Sequence, residues 1–473
     1  MTRIKAWRVG AAGEPKFPAN FKIVKKAVLQ NTDIKTNHNK YYALELHQSS
    51  SQFRVFTHYG RTDDLAVNPG AGVRECRYHL NGGAAEANYQ DIYRQKTSAR
   101  KGYKEVNLAS SNIGSQQARG TSSGHIDAAT LQKQKGAKTT KPKVKPSALE
   151  PNLQELVRYL YAEATSALTS AVHARITANG IETPLGVLTL GQVEAGQGAL
   201  DQAWAVFQKM QKARSKAGYQ DKLATLSGDF YTAIPHRIGR SRSAMAAAVL
   251  DTLPEFEEKQ STLQLMRDML KVNGSSGSVL FDPELDRKYT ALKCGLGWLP
   301  RRGAEFLKIK SFVEKSQIKT RNIKVVNVFT VSRAAERAAF DGNIGNEHQL
   351  FHGSHARNWV GLLSRGILMP KIVVSLGGSR TDGGWLGNGI YFGNAACTSY
   401  CYAAPGKKGT RFLAIARVGL GRVRKYRKIT YGLDSPPSGY QSCHGVRGSQ
   451  FADDEFVVYR SKQQQLEYLI EVK

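Results

Sequence analysis

The spacing of apolar residues changes twice along this chain of 473 residues, and that change restricts the possible folds more than any other feature. Apolar and polar residues alternate near the N-terminus, apolar residues recur every three or four positions in the middle, and alternation returns near the C-terminus. Alternation is typical of a strand with one buried face, whereas the longer spacing is typical of an amphipathic helix. Since a chain of this length divides into about three domains, the sequence predicts one domain for each pattern.

Residues 20–110 are predicted to form a small β-rich domain. Tyr42, Leu44 and Leu46 alternate with polar residues, and after a run of serines a second alternating segment begins at Phe53. Two alternating segments joined by a short polar turn predict a β-hairpin.

Residues 111–147 are predicted to be a flexible basic linker, because they are rich in Ser, Gly, Gln and Lys and contain almost no large apolar residue. The lysines from Lys133 to Lys145 are interpreted first as a solvated segment. A contact with DNA or a nuclear targeting signal is the alternative interpretation.

Residues 148–275 are predicted to be an all-α domain. Leu156 and Val157 belong to a run of apolar residues at helical spacing, and Asn152 with Glu155 matches the capping-box pattern of a helix start. Glycine and proline residues interrupt the segment, which predicts several helices joined by short turns.

Residues 280–473 are predicted to form an α+β domain with a mainly antiparallel sheet. The alternating pattern returns in four segments, IKVVNVFTV, RFLAIARVGL, EFVVYR and LEYLIEV, which glycine-rich loops separate. Helices are expected near the start of this domain and around Asn358–Gly366.

The composition indicates a polyanionic partner. The chain has 68 Lys and Arg residues against 38 Asp and Glu residues, a formal net charge of +30 at pH 7. Nucleic acid fits such a surface best, because its phosphates neutralise many cations together and release counterions; an anionic membrane surface is the weaker alternative.

The five cysteines are scattered and odd in number, which indicates a reducing compartment, and they lack the ligand order of a zinc finger. No apolar run is long enough for a membrane helix.

The candidate catalytic and binding residues form three clusters in the C-terminal domain. These are His352-Gly353-Ser354 with Asn358, the segment GNGIYF that contains Gly389 and Tyr391, and Glu455 at the start of a strand. Their order, spacing and flanking residues resemble the His-Tyr-Glu signature of the poly(ADP-ribose) polymerase family. The resemblance implies an NAD+ ADP-ribosyltransferase that uses NAD as a substrate and requires no metal.

The resemblance also implies a role for each of these residues. Glu455 would bind the ribose 2′-hydroxyl, stabilise the developing cation and activate the acceptor hydroxyl. His352 would orient the donor through a ribose hydroxyl, Gly353 would offer its backbone to the nicotinamide amide, and Tyr391 would pack beneath the nicotinamide. The implied catalytic set is His352, Tyr391 and Glu455. The implied NAD-binding set is His352, Gly353, Ser354, Asn358, Gly389, Tyr391, Ser399 and Tyr402, of which Ser399 would bond the carboxamide and Tyr402 would stack on the other ring face.

These residue types suit the transfer of ADP-ribose, because cleavage of the bond between nicotinamide and ribose passes through an oxocarbenium-like transition state. Positive charge develops on the sugar while nicotinamide leaves as a neutral molecule. A carboxylate near the ribose, rigid positioning of the dinucleotide and a base for the incoming nucleophile all lower that barrier.

The resemblance covers nearly the whole chain after residue 20. TPLGVLTLGQVEAGQGAL and LSGDFYTAIPHRIG are similar to the family's helical regulatory domain, which hinders NAD entry until DNA is bound. KYYALELHQSSSQFRVFTHYGR is similar to the WGR domain, named for its Trp-Gly-Arg motif, which here reads Tyr59-Gly60-Arg61. This implies that Tyr59 stacks at a DNA end or nick and that Arg61 reaches a phosphate; an ordinary hairpin turn at Gly60 is the alternative.

Three departures from the family pattern leave the product open. The segment before Glu455 is short, Trp385 stands where a methionine is expected, and Thr398 stands where many members carry lysine. The alternatives are a polymerase acting on protein acceptors, an enzyme that transfers a single ADP-ribose to protein or to a DNA end, and a catalytically poor DNA-binding module. We expect the protein to be nuclear, or to lie in the cytoplasm and nucleoid if the source is a bacterium. We also expect it to be a monomer when it is not bound to DNA.

Overall fold

The computed structural model describes residues 4–122, 146–172, 175–177, 180–272, 285–318, 322–369 and 384–473. The chain divides into two compact units. The first comprises Met1–Lys143 and Leu168–Leu270, and the second comprises Val144–Ala167 and Lys271–Lys473. The three predicted classes of structure, a β-rich region, a helical region and a mainly antiparallel α+β region, are confirmed in that order.

The β-rich region is built on a sheet of six strands in the described residues. These are β1 (Trp7–Arg8), β2 (Lys22–Asp33), β3 (His38–Ser49), β4 (Gln52–Arg61), β5 (Val73–His79) and β6 (Lys104–Glu105), in the order β1-β5-β4-β3-β2-β6, with helices α1 (Thr62–Val67) and α2 (Gly82–Thr97). Helix α2 buries Tyr89 against the apolar residues of β3 and β4, such as Leu44 and Val55. The predicted hairpin is confirmed as β3 and β4, with Tyr42 opposite Tyr59.

The first part of the predicted linker is packed rather than flexible. Ser115 donates its backbone N–H and its hydroxyl to the buried Glu45 carboxylate, at 2.8 and 2.5 Å respectively. A buried carboxylate is stable only with such partners, so this contact holds residues 111–122 on the sheet. Residues 123–145 of the predicted linker lie outside the described residues.

The helical region contains a hairpin that the sequence did not reveal. Its elements are α3 (Pro151–Val172), β8 (Arg175–Thr177), β9 (Gly180–Thr183), β10 (Gly186–Leu188), α4 (Leu190–Lys212), α5 (Ala217–Ala233), α6 (Arg242–Ala246) and α7 (Leu253–Val272). Strand β10 pairs with β9 and with β7 (Leu108–Ser111). Gly186 has φ +146°, and a Cβ there would lie 2.0 Å from the Ser110 carbonyl oxygen, so the close approach of the strands requires glycine.

Helix α3 begins with a different cap from the one predicted. The helix starts at Pro151, and the Glu150 carboxylate accepts the Leu153 backbone N–H at 3.1 Å. The predicted capping box of Asn152 with Glu155 is therefore wrong. Proline is favoured at the first helical position, which leaves the residue before it as the cap.

The second unit is built on a sheet of nine strands in the described residues. They are β11 (Gly295–Trp298), β12 (Val325–Ser332), β13 (Glu347–Ser354), β14 (Ile390–Gly393), β15 (Arg411–Gly419), β16 (Val423–Tyr426), β17 (Ser442–Gly445), β18 (Glu455–Val458) and β19 (Gln464–Val472), in the order β11-β12-β19-β15-β13-β14-β18-β17-β16. The pair β16 and β17 is parallel and the other pairs are antiparallel. The four predicted strands are β12, β15, β18 and β19.

The helices of the second unit are α8 (Leu285–Ala291), α9 (Ala304–Lys315), α10 (Ala334–Ala339), α11 (Trp359–Arg365) and α12 (Ala396–Tyr402). Helix α11 confirms the helix expected around Asn358–Gly366. Helix α9 buries Phe306 and Val313 in a core with Phe351 of β13 and Ile470 of β19. Within the described residues, no helix combines the length and the apolarity needed to cross a bilayer.

The first half of α3 belongs to the second unit rather than to the first. The Tyr159 ring lies 5.8 Å from the Phe412 ring of β15, and the Glu163 carboxylate accepts the Lys407 backbone N–H at 2.8 Å. The segment predicted as one helical domain, 148–275, is therefore divided between the two units.

Candidate active site

Residues from all three sequence clusters surround one cavity of about 310 Å³ in the second unit. Eight residues predicted to be catalytic or NAD-binding line this cavity: His352, Gly353, Ser354, Asn358, Tyr391, Ser399, Tyr402 and Glu455. The cavity also includes His355, Phe392, Gly393, Thr398 and Cys401. Side chains separated by about 100 positions in sequence thus share one cleft, as an enzyme of the proposed chemistry requires.

Strand order brings the signature residues together. Strands β13, β14 and β18 are neighbours in the sheet, and Phe351 of β13 lies opposite Gly393 of β14, which in turn lies opposite Glu455 of β18. His352 follows Phe351 directly in the chain. A Cβ at Gly393 would lie 3.1 Å from Cβ of Thr398, so glycine at the central position leaves space for the Thr398 side chain.

Two signature residues are linked by a hydrogen bond. The His352 Nδ1 donates to the Tyr391 backbone carbonyl at 3.0 Å. A carbonyl accepts only, so Nδ1 carries the proton and, in the neutral ring, Nε2 is the acceptor. The imidazole is thereby fixed in one tautomer, whose Nε2 can accept a hydrogen bond from a hydroxyl group.

The Tyr391 phenol is held by the turn that precedes it. Its hydroxyl donates to the Gly387 carbonyl at 2.8 Å and accepts the Leu386 backbone N–H at 2.9 Å. Gly387 has φ +75°, and a Cβ there would lie 2.2 Å from a backbone oxygen of Leu433. Gly387, the first glycine of GNGIYF, is therefore required by the turn, and the turn fixes the position of the Tyr391 ring.

Gly353 is required by packing inside the protein. A Cβ at this position would lie 1.8 Å from the Ser399 carbonyl oxygen, so β13 and α12 approach each other more closely than any side chain allows. The sequence suggested that glycine lets a ligand approach the backbone. The structure adds that it lets a helix approach the strand, which sets the position of Ser399 in the cavity.

Gly389 is the one residue of the predicted NAD-binding set that does not line the cavity. A Cβ there would lie 2.2 Å from Cγ1 of Val457 and 2.7 Å from the carbonyl oxygen of Val458. Its place is against β18, so the structure does not support the predicted contact with NAD. Its role is to let β14 begin close to its neighbour.

Two adjacent carboxylates at the start of β18 have different surroundings. Glu455 is 6% exposed and lines the cavity. Burial would raise the pKa of Asp454, but hydrogen bonds from the Arg447 backbone N–H, at 3.0 Å, and from His444, at 2.7 Å, hold that pKa below its usual value. Asp454 thus stabilises the segment between β17 and β18, while Glu455 faces the cavity.

Sequence reasoning missed several residues of the cavity, although each lies beside a motif. His355 follows the His-Gly-Ser cluster, and its pKa is lowered by burial and by the nearby Arg357 and Arg411. The imidazole is therefore neutral near pH 7. Cys401 lies one residue before Tyr402 on α12, a helix whose seven residues are too few to display a helical period in sequence.

The residues predicted to contact DNA, Tyr59 and Arg61, end strand β4 in the first unit. The Tyr59 ring is stacked on the Tyr42 ring at 5.4 Å. The Arg61 guanidinium donates to the Asn37 carbonyl at 3.1 Å. Both residues are partly exposed, and both are engaged within the protein.

Cations crowd this end of the first unit. Burial, together with the nearby Lys101, Arg77 and Lys40, lowers the pKa of Lys96 to about 8. Its ammonium lies 4.1 Å from the Tyr42 ring and 5.9 Å from the Tyr59 ring. Such a group of like charges beside aromatic rings favours an anionic ligand.

No group of three or more His, Cys, Asp or Glu side chains is placed to hold a metal ion in the parts of the chain that the structure describes.

Comparison with family models gives three matches in chain order. Residues 25–110 match the WGR domain, residues 147–278 match the poly(ADP-ribose) polymerase regulatory domain, and residues 303–450 match the poly(ADP-ribose) polymerase catalytic domain. The catalytic match ends before Glu455, so the geometry of the cavity carries the case for that residue.

Relatives with similar sequences include human protein mono-ADP-ribosyltransferase PARP4, which is 33% identical over 68% of this chain and 18% of the relative. Human poly [ADP-ribose] polymerase 2 is 25% identical over 89% of this chain and 69% of its own length. Human protein mono-ADP-ribosyltransferase PARP3 is 24% identical over 94% of this chain and 87% of its own length. The chain thus spans less than a fifth of PARP4 but most of the other two proteins.

Proposed function

Because the chain belongs to the poly(ADP-ribose) polymerase family, we propose that it is an NAD+ ADP-ribosyltransferase, which transfers ADP-ribose from NAD to an acceptor and releases nicotinamide. The observation that carries this proposal is the convergence of His352, Tyr391 and Glu455, from three neighbouring strands, on one cavity.

The surroundings of each residue suggest its part in the reaction. Glu455 lines a cavity large enough for part of a dinucleotide, where its carboxylate would stabilise positive charge on the ribose and accept the proton of the acceptor. His352, fixed in one tautomer, would orient a ribose hydroxyl. Tyr391 and Tyr402 would enclose the nicotinamide ring, which leaves as a neutral molecule when the bond between nicotinamide and ribose breaks.

A direct test is the rate of nicotinamide release in Glu455→Gln. The amide keeps the shape of the side chain but has no charge to stabilise the sugar cation, so the rate should fall by about 10²–10⁴-fold. Glu314→Gln, on the exposed surface of α9 in the same unit, is the matched control and should retain full activity. Full activity in Glu455→Gln would overturn the mechanism.

Dependence on DNA ends or nicks is part of the proposal. The cationic group around Tyr59, Arg61 and Lys96 suits an anionic strand. In the second unit, α3 contacts the loop that follows Tyr402, through Glu163 and the Lys407 backbone N–H, so a change in α3 would reach the cavity. Nicked duplex should therefore raise the rate of NAD consumption. Equal rates with and without DNA would contradict control of the cavity by DNA binding.

The proposed products are poly(ADP-ribose) chains on protein acceptors, with a DNA end as the other acceptor class. A second candidate, transfer of a single ADP-ribose, is favoured by the short segment 446–454 between β17 and β18 and by Trp385, which packs 5.9 Å from Phe451. Sizing of products from labelled NAD, with and without nicked DNA, separates the two. Absence of labelled product in both would leave a DNA-binding module.

A protein that acts on DNA in this way is expected in the nucleus, or in the cytoplasm and nucleoid of a bacterium, and as a monomer off DNA. Sedimentation with and without a nicked duplex tests the oligomeric state.

A further inference from the structure

Strand β16, at the edge of the large sheet, and the segments beside it carry a concentration of exposed cations. They are Arg422, Arg424, Lys425, Arg427, Lys428 and Arg447, here called the edge-strand cations. In the same unit, Lys408, Arg417 and Lys462 pair with carboxylates. No carboxylate of the described residues forms an ion pair with an edge-strand cation, so their charge is directed to solvent.

Aromatic rings accompany these cations. Tyr431 is 68% exposed and Tyr440 is 36% exposed, which is unusual for large rings that could pack internally. The Arg424 guanidinium lies 5.8 Å from the Tyr440 ring. Cations interleaved with exposed rings are what a single nucleic-acid strand requires, since phosphates meet the cations and bases stack on the rings. An acidic peptide would use the cations but not the rings.

The edge-strand cations lie close to the candidate catalytic carboxylate. Tyr426 of β16 is in register with Gly445 of β17, which is in register with Glu455 of β18. Two strand spacings give a distance of about 10 Å between the backbones of Tyr426 and Glu455.

A loop connects the two places. The Val446 backbone N–H donates to the Tyr426 carbonyl at 2.9 Å, and the Arg447 backbone N–H donates to Asp454, the residue before Glu455, at 3.0 Å. The backbone of this loop thus joins the edge strand to the residue that precedes Glu455.

We propose that the edge-strand cations bind a single nucleic-acid strand and present its terminus to Glu455 as the acceptor of ADP-ribose. This inference rests on the transferase activity proposed above. It assigns the catalytic unit a nucleic-acid surface of its own, separate from the one around Tyr59 and Arg61.

The chemistry of the step balances with NAD as the sole co-reactant. The oxygen of a terminal hydroxyl attacks C1′ of the ribose attached to nicotinamide, and the bond between C1′ and the pyridinium nitrogen breaks. The electron pair of that bond neutralises the pyridinium, so nicotinamide leaves uncharged. The hydroxyl proton passes to the Glu455 carboxylate and from there to water.

The test compares two variants of the full chain with equal charge. The first carries Arg424→Gln, Lys425→Gln and Arg427→Gln. The control carries Arg302→Gln, Lys308→Gln and Lys315→Gln, which remove three exposed cations elsewhere on the same unit. The probe is a fluorescent 12-nucleotide single-stranded DNA with free hydroxyl ends, and binding is measured by anisotropy over a range of salt concentrations.

The first variant should bind the oligonucleotide at least tenfold more weakly than the control, and the slope of log affinity against log salt should decrease by about 2, since each phosphate contact on a single strand contributes about 0.7. Equal binding by the two variants overturns the proposal. Equal competition by polyglutamate and by unlabelled oligonucleotide also overturns it, because the surface would then bind any polyanion. If free poly(ADP-ribose) displaces the labelled oligonucleotide and unlabelled oligonucleotide does not, the proposal is also overturned, because the surface would then bind the product chain.

Transfer is measured separately with labelled NAD at saturating nicked duplex. The unmodified chain and the control should label the oligonucleotide, while the first variant should lose at least tenfold of that labelling and keep its release of nicotinamide. Release of nicotinamide without any labelled oligonucleotide overturns this inference and leaves the proposed function intact. Absence of nicotinamide release by the unmodified chain contradicts the proposed function. In that case the anisotropy measurement alone tests whether the edge-strand cations bind a nucleic-acid strand.

Discussion

The cavity of the second unit and the cationic end of the first unit were both inferred from short motifs, yet their residues are held very differently. In the cavity, His352 and Tyr391 are fixed by hydrogen bonds to backbone groups. At the cationic end, Tyr59 stacks on Tyr42 and Arg61 bonds to Asn37, so the same side chains that would contact DNA also stabilise the fold. We therefore expect catalysis to depend on the geometry of the cavity, and DNA binding to depend on Arg61 as well as on the summed charge around it.

The largest effect expected after loss of Glu455 comes from Gly353→Ala. A Cβ placed 1.8 Å from the Ser399 carbonyl oxygen must push α12 away from β13. A displacement of about 1 Å in a catalytic group costs on the order of 10²-fold in rate, and the overpacking costs about 1–3 kcal/mol of unfolding free energy. Nicotinamide release and thermal unfolding measure the two effects.

Gly295→Ala is the control for this prediction. A Cβ at Gly295 meets its nearest atom at an ordinary 3.5 Å, so activity and stability should hardly change. Normal activity in Gly353→Ala would show that the strand and the helix can separate without loss of function, and the cavity would then tolerate substitution.

A smaller effect is expected from Arg61→Ala. Loss of a charged hydrogen bond to phosphate costs about 1.5–3 kcal/mol, or on the order of 10- to 100-fold in affinity for nicked duplex. The basal rate of nicotinamide release, measured without DNA, should be unchanged, because the cavity lies in the other unit. Arg94→Ala, an exposed cation of α2, is the control. An equal loss in both variants would mean that Arg61 contributes only general charge, and the thermal unfolding of Arg61→Ala checks its bond to Asn37.

The smallest effect is a pH dependence of DNA affinity. Burial, with nearby cations, lowers the pKa of Lys96 to about 8 from 10.5. A bound phosphate would raise that pKa, so the complex binds more protons than the free protein and affinity must fall as pH rises through 8. Affinity should decrease about five- to tenfold between pH 7 and pH 9. The dependence should flatten in Lys96→Met, and an unchanged slope there would place the DNA away from Lys96.

Long periodic segments and the signature were predictable from the sequence, because their information is local. The strands β12, β15, β18 and β19 contain enough alternating residues to display their period, and so does the hairpin of β3 and β4. Helix α12 and the hairpin of β9 and β10 are too short for that. The packing of residues 111–122 depends on the buried Glu45 carboxylate, which lies about 70 positions away in the chain.

The sequence by itself determined the order of the three structural classes, the basic surface and the spacing of His352, Tyr391 and Glu455. Only the tertiary structure decided that these three line one cavity, that Gly353 serves the approach of α12, and that Gly389 packs against β18 instead of lining that cavity. The physical reason is that periodicity and charge are sums over neighbouring residues, whereas close approach and convergence depend on which strands become neighbours in the sheet.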